Sequence, residues 1–205
     1  LYIRLSNLCS EITLPTGIDH LGRERTGVCC LSSLNLVYWD QYKDNYQFFY
    51  DVMSFLDNIL SDFIANAPET IANAIYSAQR ERSVGLGVMG WHSLLQSRMI
   101  PFESARARGL NINVFDHIDK MTERASLQLG KERGPCPDAE ERGFTHRFSH
   151  RTAVAPTATI SVICGSVSPG IETINANVFL HKTLNGSGTV RNRNLEKLLV
   201  KYGQN

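Results

Sequence analysis

No stretch of this 205-residue sequence approaches the roughly 20 consecutive apolar residues that a membrane-spanning helix needs, and no secretory signal pattern is visible. Both absences point to a soluble, cytoplasmic protein that makes no contact with a membrane. Charge of one sign is also lacking. With 21 basic against 20 acidic residues the formal net charge is +1, which leaves no broad positive field for a nucleic acid polymer. A small ligand is the expectation instead. The cysteines at 9, 29, 30, 136 and 164 form no CxxC pair and no Cys/His group with zinc spacing, so no metal site is expected. An odd, scattered set suits a reducing cytosol, where most thiols are inert packing and one or two are free for chemistry. Internal repeats and low-complexity linkers are missing too. The 42% hydrophobic and 20% charged composition is that of an ordinary globular chain, long enough for one sizeable core or two small ones.

Apolar residues from Phe48 to Phe63 recur at three- and four-residue intervals and predict a helix over about 43–66. Pro68 ends it or opens the next helix, predicted over 68–80 with Glu69 near the positive end of its dipole. A third is predicted over 104–132, opened by Ser104 and closed before Gly134 and Pro135. Between them, 26–39 and 154–166 read as strand-like runs, and Asn185-Gly186 reads as the turn of a hairpin. Helices alternating with short strands argue for an α/β architecture. The polar stretch from Pro135 to Arg151 reads as a surface loop, with Arg142, His146, Arg147, His150 and Arg151 in a solvated connector.

Gly85-Leu86-Gly87-Val88-Met89-Gly90 matches G-x-G-x-x-G letter by letter. A dinucleotide loop must follow a buried strand, yet the residues before this one, SAQRERS, are polar and helical in character. The expectation is a buried turn or close strand-to-helix packing, with no cofactor.

SNLCSEI, Ser6 to Ile12, alternates an amide, a thiol and a carboxylate at Asn7, Cys9 and Glu11. In an extended segment these three share one face, each outer group about 6 to 7 Å from the thiol, a span that could bracket a sugar ring. Alone, the pattern is also that of a half-buried strand with a chance cysteine. Two further segments bear on it. TGVCCLSSLNL carries Cys29, with Cys30 pointing the opposite way in a regular strand. VAPTATISVICGSVSPGIE sets Thr157, Thr159 and Ser161 after Pro156, the composition of a turn into a helix start, where free backbone amides bind phosphate oxygens.

Together these segments resemble the large, catalytic subunit of ribonucleotide reductase. SNLCSEI looks like that family's finger loop, CCLSSLNL like its second redox-cysteine strand, and APTATIS...SPGIE like its diphosphate-binding loop; RSVGLGVMGWHSLL and GKERGPCP also match family segments. The NLCSEI form is closer to class I enzymes than to the cobalamin-dependent class. The resemblance implies part of a ten-stranded α/β barrel with the finger loop at its N-terminus. Residues 1–205 would be a partial catalytic barrel domain, with N-terminal and C-terminal parts absent; the alternative is a non-catalytic structural fragment of the same barrel, active only with its missing partner segments. It implies that a thiyl radical at Cys9 removes the C3′ hydrogen of a ribonucleoside diphosphate, that Glu11 takes the 3′-hydroxyl proton, and that Asn7 holds the ribose hydroxyls. Cys29 would be one of the two reducing thiols, and Thr157, Ala158, Thr159, Ile160 and Ser161 would hold the diphosphate. The chain itself would carry no cofactor. Implied partners are a metal-containing small subunit that supplies the radical, thioredoxin or glutaredoxin as reductant, the remaining segments of the large subunit, and a second copy in a homodimer. Cys30, Cys136 and Cys164 match no functional position and are expected to be small buried hydrophobes.

Overall fold

The computed structural model describes residues 6–183 and 186–204. In chain order its elements are β1 (Gly17–Ile18), β2 (Glu24–Arg25), β3 (Leu31–Asn35), a 3₁₀ turn (Leu36–Tyr38), α1 (Trp39–Tyr42), α2 (Tyr46–Asn66), a second 3₁₀ turn (Glu69–Ile71), α3 (Ala72–Glu81) and β4 (Gly85–Met89). They continue with α4 (Trp91–Ser97), α5 (Ala105–Arg133), α6 (Pro137–Glu140), α7 (Ile160–Ile163), β5 (Val178–Thr183), β6 (Gly186–Arg191) and α8 (Arg193–Lys201). The strands pair β1 with β2, β3 with β4 and β5 with β6. The chain divides into two compact units.

The first unit comprises residues 1–32, 40–87 and 113–155. Asn45 starts α2 by accepting the Phe48 amide at its Oδ1, one of the first-turn donors that a helix leaves unpaired. The buried stripe of α2 is Phe49, Met53, Leu56 and Leu60, whereas Phe55 and Ile59 stay exposed. Thus the periodicity holds but the inward face is turned from several of the residues that suggested it. Val114, Ile118, Ala125 and Leu129 form the buried stripe of α5 in this unit. Ser104 opens α5 by accepting the Ala107 amide, and Gly134, at φ 85°, follows its end. α3 packs against α2, β2 and α6.

Gly85 begins a strand whose five residues are all buried, so the glycine run is neither a phosphate loop nor a turn. The segment 150–153 lies along it: Leu86 donates its amide to Arg151 O at 2.9 Å, and Ala153 returns one to Leu86 O at 3.3 Å. A Cβ at Gly87 would overlap the Ala153 carbonyl, and one at Gly85 would overlap Leu31 and Ala153. These glycines serve close backbone packing.

The second unit comprises 33–39, 88–112 and 156–205. Gly90, at φ 82°, turns the chain into α4, which packs against the 36–38 turn and α8. Ser93 and Ser168 exchange reciprocal bonds, each hydroxyl accepting the other's amide, at 3.2 and 2.9 Å. β5 and β6 form an antiparallel hairpin in the register Val178↔Arg191 to Thr183↔Gly186. Asn185, expected in its turn, lies outside the described residues. Asn192 caps α8 by accepting the Asn194 and Leu195 amides.

Three expectations are corrected. The run 26–39 is strand only over Leu31–Asn35, because Asn35 Oδ1 accepts the Val37 amide and turns the chain into the 3₁₀ segment. The run 154–166 contains no strand: Thr157 takes a left-handed φ of 53° and the chain enters α7. The stretch 135–151 is only partly a solvated connector. Cys136, Asp138, Ala139 and Phe148 are buried, and Arg147 donates Nε to the buried Asp57 at 2.9 Å.

Glu81, at the end of α3, is buried, and its Oε2 accepts the Ser83 hydroxyl at 3.0 Å while Oε1 has no hydrogen-bond partner. Burial pushes its carboxyl up to about 7 against the weaker pull of Ser83 and Arg25. The unfolded chain therefore ionises first as pH rises, so the folded state loses stability between about 4.5 and 7. That loss is about 3 kcal/mol. Urea unfolding at pH 4 and pH 8 should show Glu81→Gln equal to the parent at pH 4 and more stable at pH 8; equal stability at both would refute a neutral buried Glu81.

Candidate functional site

The SNLCSEI segment closes on itself and does not run extended. Ser10 donates its amide to Asn7 O at 3.0 Å, Ile12 donates to Asn7 Oδ1 at 3.2 Å, and Ser10 adopts a φ of 59°. The expected shared face of Asn7, Cys9 and Glu11 is thus replaced by a tight turn, because the Asn7 side chain competes for the backbone bonds that an extended strand would need. Cys9 sits exposed near the tip beside a fully exposed Leu8. Ile12 and Leu14 anchor the stem, packing in an apolar cluster with Ala153 and Leu31.

Cys29 faces this turn. Asn7 Nδ2 points its donor at Cys29 Sγ, 3.9 Å away. Cys29 is exposed at its edge, but partial burial, then the charge of Glu11, then Cys9 push its thiol up from its ordinary value. One Glu11 carboxylate oxygen is buried without a hydrogen-bond partner. The turn therefore gathers an amide, an open carboxylate oxygen and a thiol around a second thiol that stays protonated, the hydrogen-donating form. Cys30 behaves as alternation predicts: it is buried, with Sγ 3.8 Å from Leu56 O. Cys136 is buried as expected, but Cys164 is exposed, contrary to expectation, because it ends the short α7 instead of lying in a strand.

The 157–161 segment lies in the second unit. Thr157 is buried, and its Oγ1 accepts the Gly170 amide at 2.7 Å. Ser161 is also buried and donates its amide to Thr157 O at 3.0 Å, so that amide is already engaged. Ala158, Thr159 and Ile160 are exposed at the start of α7. Beside them is a cavity of about 530 Å³, lined by Pro156, Ala158, Ser161, Val162, Glu172 and Asn175 among others. Glu172 and Asn175 were not singled out in the sequence; the SPGIE run that holds Glu172 was the available signal.

The family model described as ribonucleotide reductase, barrel domain, matches residues 2–145 and 138–205. The chain belongs to this family. It is 47% identical over 199 residues to the ribonucleoside-diphosphate reductase large subunit of Invertebrate iridescent virus 3, covering 97% of this chain and 30% of that protein. Identity is 49% over 195 residues to the large subunit of Invertebrate iridescent virus 6, covering 95% of this chain and 20% of that one. Among solved structures, the Actinobacillus ureae class Id ribonucleotide reductase alpha subunit superposes with a TM-score of 0.85 at 36% identity, covering 98% of this chain and 36% of that one. The chain thus spans between a fifth and about a third of the length of these ribonucleotide reductase relatives, and its helices and short strands are part of the family's α/β barrel. Among the described residues of this barrel piece, no group of three or more His, Cys, Asp or Glu is placed to hold a metal ion. No described helix is long and apolar enough to cross a membrane.

Proposed function

We propose that this chain is the central portion of a ribonucleoside-diphosphate reductase large subunit, a partial barrel that supplies the thiol turn and Cys29. The observation that carries the reading is the gathering of Asn7, Cys9 and Glu11 around Cys29 in a chain of this family. A thiyl radical at Cys9 takes the C3′ hydrogen, making an S–H bond and leaving the radical on the sugar. Glu11 accepts the 3′-hydroxyl proton, and the Asn7 amide holds the ribose hydroxyls. The 2′-hydroxyl leaves as water, and Cys29 with a second thiol from the remaining segments delivers two electrons and two protons by closing to a disulfide. Cys9 then regains its radical when its hydrogen returns to C3′.

The amides of Ala158, Thr159 and Ile160 hold the diphosphate beside the cavity of the second unit. Ser161 and Thr157 contribute by shaping the turn, since each is bonded within it. The radical comes from a metal-containing small subunit, and thioredoxin or glutaredoxin restores the dithiol. A second copy of the complete subunit is the expected dimer partner. Supplied with a ribonucleoside diphosphate, the chain alone should give no deoxyribonucleotide, and adding the remaining large-subunit segments with a radical-generating subunit should give turnover. Product from the chain alone, or none from the assembled enzyme, would refute the reading.

A further inference from the structure

Arg25, four residues before Cys29, is held in a fully buried ion bridge that the proposed reaction does not use. Its Nε donates to Asp19 Oδ2 at 2.8 Å, and its Nη1 and Nη2 donate to the two carboxylate oxygens of Asp138 at 2.9 Å each. Asp19 is itself fixed: it accepts the amides of Leu21 and Arg23 and the Tyr76 hydroxyl. Burial alone would raise the Asp19 carboxyl, but the Arg25 guanidinium and these donors hold it well below the usual carboxylate range. Glu81 and Arg80 complete the charged surroundings, Arg80 pairing with Asp138 at 2.8 Å.

The chain after Arg25 is held at residues 26, 27 and 30. Thr26 donates its amide to Ser77 Oγ at 2.8 Å, and Cys30 O accepts the Gly85 amide at 2.9 Å. Between them Gly27 lies so near the stem of the thiol turn that a Cβ there would stand 3.1 Å from Leu14 Cβ. An apolar plug at position 25 could supply comparable stability, since replacing a buried ion pair by packed hydrophobes is often neutral or favourable. A two-pronged guanidinium bridge fixes direction as well as distance. That difference matters for a side chain that must be aimed.

We propose that Arg25 is a positioning residue for Cys29: clamped between Asp19 and Asp138, it sets the path of residues 26–29 so that the Cys29 sulfur stays against Asn7, Cys9 and Glu11. The functional meaning rests on the reading of Cys29 as a reducing thiol, but the test reads the thiol itself and needs no turnover. The titratable groups that face Cys29 are Glu11 and Cys9 from the turn; Cys30, next in the chain, points the other way but is close enough for the two thiols to interact electrostatically.

The experiment is alkylation by iodoacetamide from pH 7 to 10, read cysteine by cysteine by peptide mass spectrometry on the parent chain, Arg25→Met, Arg25→Lys and Asp138→Asn. Exposed Cys164 is the internal rate standard, and buried Cys30 and Cys136 report unfolding. Once the clamp is released, Cys29 leaves its partly buried place beside Glu11 and Cys9, its titration midpoint falls toward that of an ordinary thiol, and its alkylation near pH 8 accelerates relative to Cys164. Cys164 stays unchanged and Cys30 and Cys136 stay protected. Arg25→Lys, which keeps the charge but cannot make the fork, shifts Cys29 in the same direction to a smaller extent. An unaltered Cys29 pH profile in a variant that still protects Cys30 and Cys136 overturns the proposal. So does loss of protection in both Arg25→Met and Asp138→Asn, which would assign the bridge to overall stability. Either result leaves the reductase reading standing, and a failed turnover assay leaves the clamp standing.

Discussion

Replacing Asp57 by alanine is expected to lower the unfolding free energy by about 3 to 5 kcal/mol, the cost of stranding buried charge when one partner of an ion cluster is removed. Asp57 is fully buried on α2 and binds three guanidinium groups. Arg82 donates Nε to Oδ1 at 2.7 Å, Arg147 donates Nε to the same oxygen at 2.9 Å, and Arg133 donates Nη1 to Oδ2 at 2.9 Å. Burial on its own would raise the Asp57 carboxyl; Arg147, Arg82 and Arg133 together hold it below its ordinary value. Four segments of the first unit meet at this one carboxylate. Arg82 and Arg147 keep backbone acceptors after the substitution, at Asp57 O for Arg82 and at Arg133 O and Gly134 O for Arg147, so their bonds are not all lost. The lost negative charge is not replaced, however, and three cations remain at close quarters. Asp57→Asn keeps one acceptor oxygen without the charge and should fall between parent and alanine variant. Urea unfolding at pH 7 measures both; a loss under about 1 kcal/mol for alanine would show that the arginines reach water without cost.

The centre of this cluster was not legible in the sequence. Asp57 falls beside Leu56 on the buried stripe of α2, where a lone acid reads as a helix-face residue, and its partners lie 25, 76 and 90 residues further along the chain. Sequence periodicity carries no information about such long-range pairing. The helices were legible for the opposite reason, because their signals are local: α2 repeats apolar residues, α5 is bounded by Ser104 and by Gly134-Pro135 and was expected over 104–132 against an observed Ala105–Arg133, and the helix expected over 68–80 from Pro68 and Glu69 forms as α3 only from Ala72 to Glu81, after a 3₁₀ turn at Glu69–Ile71.

Short strands were harder to read. β3 covers only five residues of the expected run, since the Asn35 cap outweighs the strand preference of Leu36, Val37 and Tyr38. The thiol turn illustrates the same competition. Alternation placed the right residue types near one another but implied an extended backbone, whereas the Asn7 side chain folds the segment into a turn. Residues Asn7, Cys9, Glu11 and Cys29 could be named because their types and order resemble a family. Their approach to one another depends on Leu14 and the Arg25 bridge, which lie outside the quoted segments, and on Gly27, whose closeness to Leu14 the segment TGVCCLSSLNL does not reveal.

Cys9 is where the proposed chemistry stands or falls. A thiol S–H bond is weak enough to be made and broken reversibly against a sugar C–H bond, whereas a serine hydroxyl holds its hydrogen too tightly to form the corresponding radical. Cys9 is exposed, so exchanging sulfur for oxygen there should leave stability within about 0.5 kcal/mol of the parent. The amides proposed for the diphosphate, at 158–160, lie in another part of the sequence and should bind substrate as before. The decisive measurement is deoxyribonucleoside diphosphate formation by the assembled enzyme carrying Cys9→Ser, with urea unfolding and substrate affinity measured on the same preparation. Turnover should fall by at least about 10³-fold, the scale for losing an essential reacting group, with the other two quantities unchanged. Full turnover by Cys9→Ser would contradict a thiyl radical at Cys9.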